Sequence, residues 1–122
     1  MPTVAVIGAS SDRTKFSNKS VRAHLKAGYT VYPVHPRETE IETLPVYKSI
    51  RDVPTPLDRV TLYIPPGAGL LIIDDIAQKK PKELFFNPGS ANDELLERAK
   101  GLGLNVIQAC SIVDVGFHAS EL

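Results

Sequence analysis

The chain reads as an α/β protein, a Rossmann-like, doubly wound, mainly parallel five-stranded sheet with helices on both faces. Three observations predict this. Apolar-rich runs of four to six residues recur five times. Segments with helical spacing of apolar residues separate most of them. Gly, Pro, Ser or Asn punctuates the junctions. Strands alternating with helices imply right-handed crossovers, and so a parallel sheet covered on both sides.

The elements follow in order. Val4–Ile7 is continuously apolar, the pattern of a strand buried on both faces. Gly8-Ala9-Ser10 comes next, then a polar loop with Arg13 and Lys15, then Ser17 and Asn18 as a helix-start signal. A helix is expected from Asn18 to Ala27, with Val21 and Leu25 one turn apart and Gly28 as its stop. Thr30–Val34 is a second strand, rich in β-branched and aromatic residues. Pro33 has no amide to donate, so that end must lie at an edge or unpaired position. Residues 35–56 read as irregular, broken by Pro36, Pro45, Pro54 and Pro56, with a short helical turn at Ser49–Asp52.

Arg59–Ile64 is the third strand, ended by Pro65-Pro66. Leu70 to Lys80 is expected as a helix bearing Leu70, Leu71, Ile73, Ile76 and Ala77, stopped by Pro81. Glu83–Phe86 is the fourth strand. Ser90 with Asp93 three residues later has the form of a capping box. It would open a helix carrying Leu95, Leu96, Ala99 and Leu102. Asn105–Gln108 is the fifth strand. The tail from Ser111 either extends the core or frays.

A length of 122 residues implies one domain, residues 1–122. Fourteen basic and fourteen acidic side chains cancel. That argues against a general binder of nucleic acid or anionic membrane, which usually shows a basic excess. Cys110 is the only cysteine, so no internal disulfide can form, which fits a reducing cytoplasm. No apolar run approaches the ~20 residues of a membrane-spanning helix. No basic segment leads into an apolar signal at the start. A cytoplasmic protein is expected.

In sheets of this kind, ligands sit beyond the carboxyl ends of the strands, at the switch point. Five segments lie there: Gly8-Ala9-Ser10, His35-Pro36-Arg37, Ile64-Pro65-Pro66, Asn87-Pro88-Gly89 and Ala109-Cys110-Ser111. Small residues after the first strand let a ligand approach the backbone. The following helix start offers free N–H groups and a positive dipole end to phosphate. The same residues would also serve an ordinary strand-to-helix turn. The full G-x-G-x-x-G fingerprint is absent, because Ser10 and Arg13 occupy the later glycine positions. Arg13 and Lys15 suit phosphate oxygens, or a solvated basic loop.

The end of the second strand discriminates better. NAD-binding sheets usually place Asp or Glu there to hold the ribose hydroxyls. Here it reads Val34-His35-Pro36-Arg37. Arg37 suits a phosphate on the ribose, which both NADP and coenzyme A carry. His35 reads as a polar loop residue rather than an acid–base catalyst. Ile64-Pro65-Pro66 offers either a rigid apolar ledge for adenine or a simple strand stop.

No catalytic pair stands out. His24 and His118 have no carboxylate or nucleophile at motif spacing, and no Cys/His cluster suggests zinc. Asp74 and Asp75 are adjacent on a helix and so diverge. Cys110 reads as a small buried hydrophobe. The alternative is a crevice-facing thiol able to exchange with a ligand thiol.

Several segments carry a family likeness: Val-Ile-Gly-Ala-Ser at 6–10, Lys-Phe-Ser-Asn at 15–18, Gly-Tyr-Thr-Val-Tyr-Pro-Val-His-Pro at 28–36, Leu-Pro-Val-Tyr at 44–47, Leu-Tyr-Ile-Pro-Pro at 62–66, and Asn-Pro-Gly-Ser at 87–90. In this order and spacing the chain resembles the coenzyme A-binding domain family, a module also found at the front of the succinyl-coenzyme A synthetase α subunit. The resemblance implies that Gly8, Ala9 and Ser10 meet the phosphates, with Lys15, Ser17 and Asn18 closing the loop. It implies that Pro36 and Arg37 flank the adenosine and its ribose phosphate. Ile64 and Pro65 would touch the adenine end. Asn87, Pro88 and Gly89 would line the far side, nearer the pantetheine arm. Where the family often has Asn-Pro after the second strand, this chain has His35-Pro36.

Stand-alone members of the family generally lack an assigned reaction. The larger synthetases add a domain with a phosphorylated histidine and a nucleotide-using partner subunit, and neither fits within 122 residues. The resemblance thus implies a non-catalytic coenzyme A-binding module acting as carrier, sensor or partner of another protein. The competing readings are a small NADP-dependent oxidoreductase, an acyl-coenzyme A-handling enzyme, or an interaction protein that kept the fold and lost the ligand. Open sheet edges make a homodimer or a partner enzyme a reasonable expectation.

Overall fold

Continuous apolar runs can be satisfied only where both faces of a strand are covered. The computed structural model, which describes residues 1–122, shows this arrangement. Its strands are β1 (Thr3–Ile7), β2 (Thr30–Val34), β3 (Glu40–Ile41), β4 (Leu44–Pro45), β5 (Arg59–Leu62), β6 (Glu83–Phe86) and β7 (Val106–Gln108). Its helices are α1 (Phe16–Lys26), α2 (Pro66–Lys79), α3 (Asp93–Gly101) and α4 (Ser111–Asp114). Five strands form one parallel sheet in the order β2-β1-β5-β6-β7. The chain leaves β1 toward β2, then crosses back to β5, so the switch point lies between β1 and β5.

Alternation along each strand divides the core. Ala5, Ile7, Val60, Leu62, Leu84 and Phe86 pack with Ile73 and Ile76 of α2 and Leu95 and Ala99 of α3. Val4, Val6 and Val31 face the other way, against Val21 of α1 and Ile41 of β3. Fully burying a Leu or Ile side chain stabilises by about 1.5–3 kcal/mol. The larger cluster therefore anchors the fold. No helix is long and apolar enough to cross a membrane.

The fold class matches the sequence expectation, and Pro33 lies as expected on an edge strand. Its carbonyl faces outward and accepts the Tyr47 amide at 2.9 Å, so its missing N–H costs the ladder to β1 nothing. Several boundaries differ. Helix α1 begins at Phe16, two residues before the expected Asn18, and its N-cap Lys15 makes no side-chain cap. Helix α2 begins at Pro66 rather than Leu70. Pro66 occupies the first helical position, where a fixed φ helps and the absent amide is not needed. Gly67 and Gly69 disguised that turn, since glycine disfavours helix. A Cβ at Gly69 would meet Leu95 Cδ2 at 2.8 Å, so the glycine lets α3 close on α2.

The capping box at Ser90 is not formed. Asn92 caps α3 by accepting the Leu95 amide at 2.9 Å, while the Ser90 hydroxyl donates back to the Asn87 carbonyl at 2.7 Å. Strand β5 stops at Leu62, short of Ile64, and β7 starts at Val106. Residues 35–56 are more ordered than expected. They hold the β3–β4 hairpin, turned by Glu42 and Thr43 at φ 50° and 64°, and a 3-10 turn at Ile50–Asp52 capped by Ser49. The tail adds to the core: Ile112 is fully buried, and Lys19 Nζ donates to the Ala119 carbonyl at 2.9 Å.

Candidate functional site

Register builds the site. Val34, Ile7, Leu62, Phe86 and Gln108 pair in one row across the sheet. The residues that follow, His35, Gly8, Tyr63, Asn87 and Ala109, therefore emerge side by side at the carboxyl edge.

Gly8 lies at the centre of this edge, with φ 81°. A Cβ there would meet Ile64 Cγ2 at 2.7 Å and the Tyr63 carbonyl oxygen at 2.8 Å. Only glycine fits both the conformation and the gap. The Gly8 and Ala9 amides both donate to the Val34 carbonyl, at 3.0 and 3.2 Å. Beyond them the loop is held by its own polar groups. Asp12 accepts the Thr14 amide and hydroxyl at 3.0 and 2.7 Å, and Ser10 Oγ accepts the Asp12 amide at 3.0 Å. Those bonds from Thr14 hold the Asp12 carboxyl below its usual range.

At the start of α1, the amides of Phe16, Ser17 and Asn18 have no partner within the protein, and the first turn carries no acidic residue. Three aligned donors at the positive end of a helix dipole form an anion cradle. Lys15 stands beside them, exposed and unpaired.

The loop after β2 is organised by His35. Its Nδ1 accepts the Arg37 and Glu38 amides, both at 3.1 Å. These bonds assign the lone pair to Nδ1, so imidazole fills the turn-forming role that asparagine serves in many loops. His35 thus acts as a loop residue. Glu38 in turn accepts the Ser11 amide, at 2.9 Å to its nearer oxygen, tying the two loops together. Hydrogen bonding from Ser11 holds the Glu38 carboxyl below its ordinary range.

Four recesses lie along this edge. The largest, about 550 Å³, is lined by Gly8, Pro36, Arg37, Ile64 and α2 residues including Leu71 and Ile72. It shares Tyr63 and Ile64 with a second recess of about 340 Å³, lined by Lys15, Phe16, Ser17, Pro65, Pro88 and Gly89. A third, about 140 Å³, meets Phe16, Tyr63, Pro88 and Cys110. The fourth, about 240 Å³, lies between Asn87–Gly89 and Gln108–Ala109. Together they make a strip from Arg37 to Cys110, and Cys110 is half-buried at its wall.

The structure sorts the expected site residues. Gly8, Lys15, Ser17, Pro36, Arg37, Ile64, Pro65, Pro88 and Gly89 line the strip. Ala9 is fully buried in the core beneath it. Asn18 is spent on support: its Nδ2 donates to the Ser10 carbonyl at 2.8 Å and its Oδ1 accepts from Arg22 Nε at 2.8 Å. Arg13 lines no recess and pairs with Glu42 at 3.4 Å. Asn87 borders the strip, but its amide is satisfied inside: Nδ2 donates to Thr61 Oγ1 and the Leu62 carbonyl, and Oδ1 accepts the Ser111 amide. Tyr63 and Ser111 join the same network, and burial pushes the Tyr63 hydroxyl up from its usual pKa.

Phe16, Tyr63, Ala68, Leu71, Ile72, Lys48 and Arg51 also line the strip, and the sequence pattern does not single them out as site residues. The Ser49 cap was the one available signal for Arg51. Nothing local indicated that residues 47–51 return to the sheet edge. His24 is fully buried elsewhere, where burial lowers its pKa to about 4. Asp74 and Asp75 diverge as expected, pairing with Arg98 and Arg51 respectively.

The comparisons bear on this geometry. A sequence model described as the CoA binding domain matches residues 2–116. The α subunit of ADP-forming acetate–CoA ligase II from Pyrococcus furiosus is 39% identical over 129 aligned residues, covering 96% of this chain and 28% of that protein. The chain thus spans under a third of that relative's length. A conserved hypothetical protein from Pyrococcus furiosus superposes with a TM-score of 0.84 at 29% identity, covering 93% of this chain and 99% of the other. A dinucleotide-forming acetyl-coenzyme A synthetase 1 of Ca. Korarchaeum cryptofilum, solved with phosphate and ADP, gives a TM-score of 0.76 at 28% identity, covering 88% of this chain and 25% of that one. By sequence and by fold, the chain belongs to the CoA-binding domain family.

Proposed function

We propose that the protein binds coenzyme A or an acyl-coenzyme A through this domain, as a non-catalytic module. The observation that carries this is the continuity of the strip. It joins a cationic, apolar-floored cleft at Arg37, a row of partner-free amides at the start of α1, and a narrow channel toward Cys110. Coenzyme A has the same order of chemistry: a phosphorylated adenosine, a diphosphate and a thin pantetheine arm. The diphosphate rests against the amides of Phe16 to Asn18, beside Lys15 and over Gly8. Adenine lies on Ile64, with Pro36 and Arg37 flanking the ribose phosphate. The arm passes Pro88 and Gly89. The relatives are α subunits of coenzyme A-using ligases, which supports a role beside a partner enzyme.

Calorimetric titration with coenzyme A, dephospho-coenzyme A, NADP and NAD tests this reading. It predicts that coenzyme A binds best and that removal of the ribose phosphate weakens binding. Tightest binding of NADP would instead favour an oxidoreductase. Absence of binding by all four would leave a fold that has lost its ligand.

A further inference from the structure

Residues 48–51 enter the cleft by a route that sequence order does not suggest. Tyr47 forms a parallel bridge with Val34, donating its amide to the Pro33 carbonyl at 2.9 Å and accepting the His35 amide at 3.0 Å. This isolated bridge holds Tyr47 beside the carboxyl end of β2. Lys48 leaves the sheet at the same edge as His35, one step outward. Ser49 Oγ then accepts the Arg51 amide at 3.2 Å and starts the 3-10 turn that brings Arg51 to the cleft wall. The 550 Å³ cleft is consequently lined by Arg37, Lys48 and Arg51 against a single carboxylate, Asp75.

This local excess stands out in a chain of zero formal net charge. Neither Arg37 nor Lys48 makes an ion pair, and Arg51 is held only by a 3.7 Å approach of Nε to Asp75. The floor between the cations is apolar, formed by Ile64, Ala68 and Ile72. Three donors around an apolar floor suit a planar base carrying a doubly charged phosphate on its sugar.

We infer that Lys48 and Arg51 are specificity-determining residues that complete, with Arg37, a three-cation clamp on the ribose phosphate of the ligand. The inference rests on the coenzyme A reading and goes beyond it. It assigns the preference for a phosphorylated ribose to a chain segment remote from the phosphate loop. Arg51 exchanges its long contact with Asp75 for the phosphate when ligand enters.

The test is the affinity ratio of coenzyme A to dephospho-coenzyme A, measured by calorimetry for the unmodified protein, Lys48→Gln, Arg51→Gln and the double variant. Thermal melts confirm folding of each. All three side chains are exposed, so each substitution is expected to lower affinity for coenzyme A about fivefold, the upper range for exposed charge pairs. Affinity for dephospho-coenzyme A stays unchanged, and the ratio falls with rising salt. Equal losses for both ligands, or no loss for either, would overturn the clamp while leaving the coenzyme A reading intact. A parent protein that binds both ligands equally would also overturn it. Failure of the parent protein to bind either ligand would remove the coenzyme A reading itself, and the clamp with it.

Discussion

Two arginines show how differently the parts of this sheet are built. Arg59, at the start of β5, is sealed beneath α1 and α4, its side chain only 4% exposed. It pairs with Asp114 at 2.6 Å and Glu83 at 3.2 Å, and lies 4.2 Å from the Phe85 ring centroid and 5.4 Å from that of Tyr29. Burial alone would lower its pKa, but the bonds to Asp114 and Glu83 outweigh it and raise the pKa. Arg37, at the opposite edge, is exposed and has no ion-pair partner. The same side chain is structural where its donors are satisfied and ligand-ready where they are not. The amides tell the same story: those inside the sheet are paired, whereas those of Phe16 to Asn18 are free.

Among substitutions, the largest expected effect falls on the closed region. Removing one member of a buried ion pair is strongly destabilising, but Glu83 and Asp114 are partly wet. Arg59→Ala should therefore cost roughly 2–3 kcal/mol of stability by chemical denaturation. The ligand affinity of the folded protein should not change. A loss of affinity at unchanged stability would reverse the assignment of the two regions.

Gly8→Val attacks the open edge through its backbone. The left-handed φ and the 2.7 Å approach to Ile64 exclude a side chain without movement. The expected cost is about 1–3 kcal/mol of stability, together with loss of coenzyme A binding in calorimetry. Full affinity in a stable variant would show that no ligand passes over Gly8.

Arg37→Ala sharpens the contrast. It should weaken coenzyme A binding about fivefold, the upper range for an exposed charge pair. Stability should move by no more than about 0.5 kcal/mol, as for ordinary surface positions. An unchanged affinity would take Arg37 out of the site.

A pH dependence tests the closed region in a different way. His24 is buried among Ser20, Tyr29, Arg59 and the Asp114 charge, and is neutral, its pKa lowered from 6.5 to about 4 chiefly by burial. Between those values the unfolded chain takes up a proton that the folded protein refuses. The contribution of His24 is therefore full above pH 6.5, declines as pH falls toward about 4, and is level below that. Denaturation curves across this range should show the decline, and His24→Gln should flatten it. An identical slope in the variant would assign the effect to other groups.

The sequence made the architecture legible because apolar runs and helix spacing are local signals. The sheet edge was legible for the same reason: Gly8, His35-Pro36-Arg37, Ile64 and Pro88-Gly89 each directly follow or lie just beyond a strand. What stayed hidden depends on long-range pairing. The β3–β4 turn uses Glu42 and Thr43 in place of glycine or asparagine, so its residue types gave no hint of a hairpin. The bridge from Val34 to Tyr47 that delivers Lys48 and Arg51 has no local signature. The local pattern starts helix α2 too late because Gly69 answers to Leu95, far along the chain and invisible in the helix itself. Asn18 and Asn87 read as ligand-facing, but their side chains are used to hold the loops in place.

Backbone amide shifts followed by NMR as coenzyme A is titrated into isotopically labelled protein test the central claim most directly. The largest shifts are expected at Gly8, Phe16, Ser17, Asn18 and Arg37, with those of Arg59, Glu83 and Asp114 nearly still. Shifts centred on Arg59 and α4, or none at the start of α1, would contradict the account.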